Sequence, residues 1–132
     1  MMKEILFRAK TTDTNEWAIG YYDGYGLSPS ISINPDDVFC NVDPETLGQF
    51  TGRYDRDGVR IFEGDIVQLS LPLAKDLIYT AIGKIVYDKS CAFVCETISK
   101  KVGTFPLAPN FTYEVIGNIY DNPELLKEKT NG

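Results

Sequence analysis

Histidine is absent from this chain of 132 residues. Catalytic sites of the Ser-His-Asp and Cys-His types are therefore excluded, because both need an imidazole that moves a proton. The chain also has no glycine-rich loop with the spacing of a phosphate or dinucleotide site, so we expect no cofactor. We predict that the protein is not an enzyme, and a carboxylate-based hydrolase is kept as the weak alternative.

Long apolar runs are missing as well. The opening ten residues place Lys3, Glu4 and Arg8 around the short apolar run 5–7. This pattern is neither a signal peptide nor a membrane span, and no later run approaches the ~18 apolar residues that a spanning helix needs. We expect a soluble cytoplasmic protein with no membrane partner.

No stretch of the sequence is strongly basic. The chain has 13 basic and 19 acidic residues, a net charge of −6, and residues 1–50 hold three basic against eight acidic side chains, a balance of −5. Nucleic-acid binding draws much of its affinity from Lys and Arg that neutralise phosphates, so a nucleic-acid partner is less expected than a protein. The alternative is a nucleic-acid-binding module, whose contacts would come from Arg53, Arg56, Arg60 and Lys84.

Cysteine is scarce, and its count is odd. The three residues Cys40, Cys91 and Cys95 fit a reducing compartment, where no disulfide partner is needed. On a strand, four residues span roughly 13 Å, too far for a Cys91–Cys95 disulfide, and no histidine is present to complete a zinc site. We predict no metal, and we expect these cysteines to be reduced and to pack in the core.

Aromatic residues are plentiful: eight Tyr, seven Phe and one Trp. Together with frequent Gly, Asp and Pro turn signals they favour many short strands. The fold class predicted is mostly β with short helices, in a single domain 1–132. A small antiparallel SH3-like barrel would occupy residues 49–132, and an N-terminal β-rich extension residues 1–48. The expected strands are 5–7, 16–22, 28–34, 49–54, 59–62, 66–71, 81–87, 92–97 and 113–120, and residues 36–42 are either another short strand or an irregular segment.

The central stretch of the chain, QFTGRYDRDGVRIFEGDIVQL at residues 49–69, contains a motif with two turn glycines. Asp57-Gly58 predicts a hairpin turn with Gly58 at positive φ, and Gly64 predicts a sharp turn into the next strand. Glu63 and Asp65 lie in turn-like sequence, where we expect solvated carboxylates. The motif then serves the folding of the chain and is not an active site.

Tyr21, Tyr22 and Tyr25 form the most suggestive cluster for partner binding. Tyrosine offers a rigid contact area with a polar tip, which is favoured at protein interfaces. Period-two spacing places Trp17, Ile19 and Tyr21 on one side of the strand. The alternative is that the tyrosines pack the core and shield a hairpin.

Three stretches resemble the YopX family of phage and prophage proteins: KEILFRAK followed by Trp17, then QFTGRYDRDGVRIFEGDIVQL, and YEVIGNIYDNPELL near the end. The resemblance covers both ends and the middle of the chain, and the family brings no established biochemical activity. It implies a phage-derived protein inside the bacterial host cell. Our hypothesis is a non-enzymatic binding protein that contacts a host or phage protein, and homo-oligomerisation is left open.

Overall fold

The computed structural model describes residues 5–24, 28–32, 39–89, 91–98, 103–107 and 111–127. The protein is mostly β and forms two antiparallel sheets. The chain divides into two compact units, Met1–Gly52 and Arg53–Gly132. The predicted all-β class is thus confirmed, and each unit has its own core.

The strands of the first unit lie in the order β4-β3-β2-β1-β5, so that β1 to β4 form a meander and β5 returns to pair with the free side of β1. A 3-10 turn at Pro44–Thr46 precedes β5, and the Asp43 carboxylate caps it by accepting the Glu45 N–H at 3.0 Å, as the Asp-Pro-Glu order predicts. The strands are β1 (Phe7–Lys10), β2 (Trp17–Asp23), β3 (Ser30–Ser32), β4 (Phe39–Asn41) and β5 (Gly48–Tyr54), which runs on past the unit boundary.

One face of this sheet carries the core of the first unit. Ala9, Ala18, Ile31 and Val42 are buried there, and partly buried apolar side chains pack around them. Small side chains on the central strands β1 and β2 leave room for the larger ones, which fill the space at the rim. These rim residues are Phe7, Tyr22, Cys40 and Leu47.

The second unit is built on a five-stranded sheet in the order β10-β9-β8-β7-β11. Its inner face is apolar, with Val67, Leu69 and Ile85 fully or almost fully buried against Ile61 and Tyr113. A short 3-10 helix at Pro123–Leu126 follows the last strand. The strands of this sheet are β7 (Asp65–Ala74), β8 (Leu77–Tyr87), β9 (Phe93–Thr97), β10 (Thr104–Pro106) and β11 (Thr112–Asn118). The short strand β6 (Arg60–Phe62) is not part of it and pairs with β5.

The predicted SH3-like barrel is not confirmed. In the part of the chain that the structure describes, β10 and β11 are the two edges of the sheet, and no pairing between them closes it. The strands β7 and β8 are also longer than predicted: β7 continues to Ala74 and β8 begins at Leu77, both within residues 72–80, which the sequence prediction left unassigned.

The Asp55 carboxylate ties the turn between β5 and β6 to the last strand. It is 8% exposed, and its Oδ1 accepts the backbone N–H groups of Asp57 at 2.8 Å and Val59 at 2.9 Å. Its Oδ2 accepts the N–H of Val115, 60 residues away, at 3.0 Å. Burial alone would raise the pKa of Asp55, but these three donors and the neighbouring Arg56 outweigh it and lower the pKa.

The two turn glycines have the backbone conformation that the sequence predicts. Gly58 has φ +81° and Gly64 has φ +92°, both in the left-handed region that side chains disfavour. The Gly64 N–H donates to the Ile85 carbonyl at 2.8 Å, and its own carbonyl accepts the Ile119 N–H at 2.9 Å. Gly64 therefore joins the start of β7 to two other parts of the unit.

The expected solvation of the acids beside Gly64 is wrong for Asp65. This side chain is 1% exposed, and its Oδ2 accepts the Phe62 N–H at 2.7 Å, which closes the turn. Glu63 is only partly exposed. A carboxylate can be buried here because a backbone N–H compensates for the lost water.

Replacing Gly58 with Val should lower the free energy of unfolding by about 1–2 kcal/mol, because a β-branched residue resists left-handed φ. A Cβ at this position would meet nothing within 4 Å, so the loss comes from the backbone and not from a clash. Chemical denaturation measures the change. Gly58→Asn is the control and should lose much less, since Asn tolerates this conformation; equal losses for both variants would contradict the interpretation.

Replacing Asp55 with Asn should lower the free energy of unfolding at neutral pH by about 2–3 kcal/mol, because a charged acceptor is lost and an amide NH₂ meets the Val115 N–H. The lowered pKa means that the Asp55 contribution is complete above its unfolded pKa of about 3.9 and disappears as pH falls through the folded value. The difference between the parent and D55N should therefore shrink in acid. Urea unfolding from pH 7 to pH 2 measures it, with the exposed Asp57→Asn as control; a difference independent of pH would refute the assignment.

Candidate functional site

The outer face of the first sheet, opposite its core, carries large apolar side chains. Strand alternation places Trp17, Ile19 and Tyr21 of β2 on this face, and Ala18 on the inner one. Ile19 is 41% exposed and Tyr21 58%, while Trp17 is partly buried. The predicted common side of these three residues is confirmed.

Phe39 extends this row across two more strands. Tyr21 pairs with Ser32 of β3, and Ser32 pairs with Phe39 of β4, so the three side chains share one face. At about 4.8 Å between neighbouring strands, the Tyr21 and Phe39 backbones lie roughly 10 Å apart, with only a small serine between them. Phe39 is 56% exposed.

Two cations border the row beside Trp17. Arg8 and Lys10 of β1 pair with Ile19 and Trp17. The Arg8 Cζ lies 4.6 Å from the Trp17 ring centroid, and the Lys10 Nζ lies 5.5 Å from it. Both distances are within the range of a cation–π interaction, which fixes the two charges over the indole. We call Trp17, Ile19, Tyr21 and Phe39, with Arg8 and Lys10, the outer face.

The predicted tyrosine cluster is divided by the strand. Tyr21 belongs to the outer face, but Tyr22 points to the core, where its ring centroid lies 5.9 Å from that of Phe7. Tyr25 lies outside the described residues. The sequence prediction missed Phe39, Arg8 and Lys10 as members of the same surface.

The four basic residues proposed for nucleic-acid contact all belong to the second unit. Arg53 and Arg56 are exposed, and Arg60 and Lys84 are partly buried. Two of them have an acidic neighbour: Arg56 Nη1 lies 3.8 Å from a Glu114 oxygen, and Lys84 Nζ lies 3.7 Å from a Glu96 oxygen. The negative charges of Glu114 and Glu96 partly neutralise Arg56 and Lys84, which weakens the attraction of these two cations for a phosphate.

A family model described as YopX protein matches residues 6–127. The chain belongs to the YopX family. Among solved structures it is similar to protein EF1440 from Enterococcus faecalis, with 26% sequence identity and a TM-score of 0.53. That similarity covers 96% of this chain and 100% of the other. No curated protein matches.

Within the described ranges, no cluster of three or more His, Cys, Asp or Glu side chains is arranged to hold a metal ion. No helix among those same residues is long and apolar enough to cross a membrane.

The cysteines of this YopX protein are free, but they do not share one environment. Cys95 is fully buried in the core of the second unit, as predicted, and burial raises the pKa of its thiol to about 12. The expected core position is wrong for Cys91, which is exposed in the turn between β8 and β9 at φ +63°. Cys40 is partly buried.

A thiol reagent at pH 8 should modify Cys91 quickly and leave Cys95 untouched in the folded YopX protein. The thiolate is the reactive form, and burial both blocks access to Cys95 and keeps it protonated. Mass spectrometry of labelled peptides measures the two rates, and labelling in denaturant is the control that exposes both thiols. Equal rates in the folded protein would show that the burial of Cys95 is misassigned.

Proposed function

We propose that this YopX protein is a non-enzymatic binding protein of phage or prophage origin. It acts in the cytoplasm of the bacterial host cell by contacting a host or phage protein through the outer face. One observation carries the proposal: large apolar side chains of β2 and β4 lie exposed on the same face of a sheet whose other face already holds the core.

The physical reason lies in the two faces of a sheet. An antiparallel sheet with one face on a core ordinarily presents polar side chains to water on the other. Here β2 carries apolar side chains on both faces, which is unfavourable for an isolated surface. Burying such residues against a partner stabilises a complex by about 25 cal/mol per Å² of apolar area. Trp, Tyr and Arg are also the residue types enriched at binding hot spots.

The charges of the outer face indicate the chemistry of the partner. Arg8 and Lys10 are held over Trp17 at one end of the apolar row. A complementary surface has apolar pockets for Tyr21 and Phe39 and carboxylates near the two cations. A polyphosphate backbone fits less well, because residues 1–50 carry three basic against eight acidic side chains.

The nucleic-acid alternative is weaker for the second unit too. Phosphate binding there would have to compete with the carboxylates of Glu114 and Glu96, which already lie near Arg56 and Lys84. As a further part of the proposal, we describe the sheet of this unit as SH3-like. The support is that the Gly64-Asp65 turn starts β7, which pairs with the next strand, β8.

A double variant tests the outer face. Tyr21→Ala with Phe39→Ala removes two side chains that are more than half exposed, so stability should change by no more than about 0.5 kcal/mol for each. In gentle pull-downs from lysate of the bacterial host, the variant should lose any stoichiometric protein that the parent retains. The matched control is Val59→Ala, which removes an exposed apolar side chain from the second unit and should retain the same protein.

Two results would contradict the proposal. One is a parent protein that retains no stoichiometric partner. The other is a partner that the double variant still holds as well as the parent does. A mobility-shift titration with a single-stranded oligonucleotide at low salt tests the alternative, because binding through phosphates must weaken steeply as salt rises.

A further inference from the structure

The strands β7 and β8 extend beyond their neighbours and form a two-stranded arm, residues 71–80. Among the described residues, the pairing of β11 with β7 ends at Ser70. The pairing of β9 with β8 ends at Gly83, with one further hydrogen bond from Ile98 to the Ile82 carbonyl. Beyond these points no third strand among the described residues pairs with the arm. A two-stranded hairpin alone is only marginally stable in water.

The arm continues the pattern of a buried sheet into solvent. Odd-numbered positions of β7 and β8 face the core near the base of the arm, and the same alternation along β8 brings Leu77 and Tyr79 onto that face of the arm, while Leu73 lies at the register shift of β7. Leu73, Leu77 and Tyr79 are 57%, 56% and 37% exposed, and Ile78 on the opposite face is 65% exposed. The arm is therefore apolar on both faces, with nothing among the described residues to cover it.

The two edges of the arm differ in how well they are protected. The β7 edge contains Pro72, which has no N–H to donate, and the register shifts between Pro72 and Ala74. Proline and bulges are the usual devices that stop an edge strand from pairing with another chain. The β8 edge has no such device: residues 77–82 read LIYTAI, without proline, charge or a register shift.

We propose that the β8 edge of the arm pairs with the same edge of a second copy of this chain. The two strands run antiparallel about a two-fold axis near Tyr79 and make one sheet continuous across both protomers. On one face Tyr79 then lies opposite its own counterpart and Leu77 lies opposite Ala81, while Ile78 lies opposite Thr80 on the other face. The main-chain N–H and C=O groups that residues 77–80 direct away from β7 find partners in the same step.

Charge favours a second copy over a foreign protein. Within residues 66–83 the only charged side chains are Lys75 and Asp76, adjacent at the tip, so the arm is locally neutral in a chain of net charge −6. Two copies can therefore associate through their arms without the electrostatic repulsion that the net negative charge causes between other parts of their surfaces. An interface that is apolar and poor in charge is typical of homodimers. A two-fold contact also needs no complementary surface, since the same strand serves both sides.

This inference is independent of the proposed function, because the arm contains no residue of the outer face. Ile78→Lys tests it: a lysine at this edge position lies diagonally across the axis from the lysine of the second copy, and their like charges disfavour pairing of the two edges. Light scattering should give a mass near 2 × 14.8 = 29.6 kDa for the parent and near 14.8 kDa for the variant. The measurement runs up to about 100 µM protein, where a dimer with a Kd near 10 µM is mostly assembled.

Leu73→Lys is the matched control, because Leu73 is as exposed as Leu77 but lies on the β7 strand beside Pro72. It should remain dimeric. Circular dichroism and thermal unfolding should show that both variants fold like the parent. A parent that is monomeric throughout the concentration range, or an Ile78→Lys variant that stays dimeric, overturns the proposal. A monomeric Leu73→Lys variant overturns the edge assignment.

Cross-linking gives a second readout that does not depend on a disruptive variant. In a Cys40→Ser, Cys91→Ser background, single cysteines are placed in turn at positions 77, 78, 79 and 80, and at 73. A disulfide between equivalent residues needs Cα atoms within about 7 Å, which only positions next to the two-fold axis satisfy. Dimer formation under mild oxidation should peak at one position of β8 and be absent at 73. Equal cross-linking at all five positions overturns the two-fold pairing.

Discussion

The second unit depends on one buried carboxylate, that of Asp55. Its oxygens join a local turn to a strand that lies 60 residues further along the chain. Without this group, two turn N–H groups and one strand N–H would need other acceptors in a place that water hardly reaches. The link resembles a disulfide in its effect on topology, yet it needs no oxidation and suits a chain whose cysteines are free. At the next turn the buried Asp65 carboxylate likewise accepts a backbone N–H, that of Phe62, but this bond joins residues only three positions apart.

These two acids show how a motif rich in Asp and Glu contributes to the fold. The Asp55 oxygens already accept three backbone N–H groups, so its charge is used to hold the chain. The burial of Asp65 could not be predicted from the sequence. Its acceptor role depends on the N–H of Phe62, whose position is set only when β6 and β7 are in place, whereas Gly58 and Gly64 act through their own backbone and were predictable.

Strand positions were largely predictable because alternation and turn residues are local signals. The long arm is the exception. Proline at position 72 indicates the end of a strand when the chain is read alone, so the predicted strand stopped at Leu71. In the structure Pro72 lies beyond Ser70, where the pairing of β7 with β11 ends among the described residues, and the strand continues to Ala74. Local signals cannot say which strands will lie at an edge.

The outer face, too, could be predicted only in part from local spacing, and the composition of β2 limits which changes of length the strand tolerates. The side of β2 that holds Trp17 and Tyr21 follows from spacing alone, whereas Phe39 joins them only through the pairing of three strands. Because β2 has an apolar residue at almost every position, inserting or deleting one residue would exchange its two faces: Tyr22 would move into water and Tyr21 into the core. Changes of length in β2 can therefore keep both the core and the surface only when they come in pairs of residues.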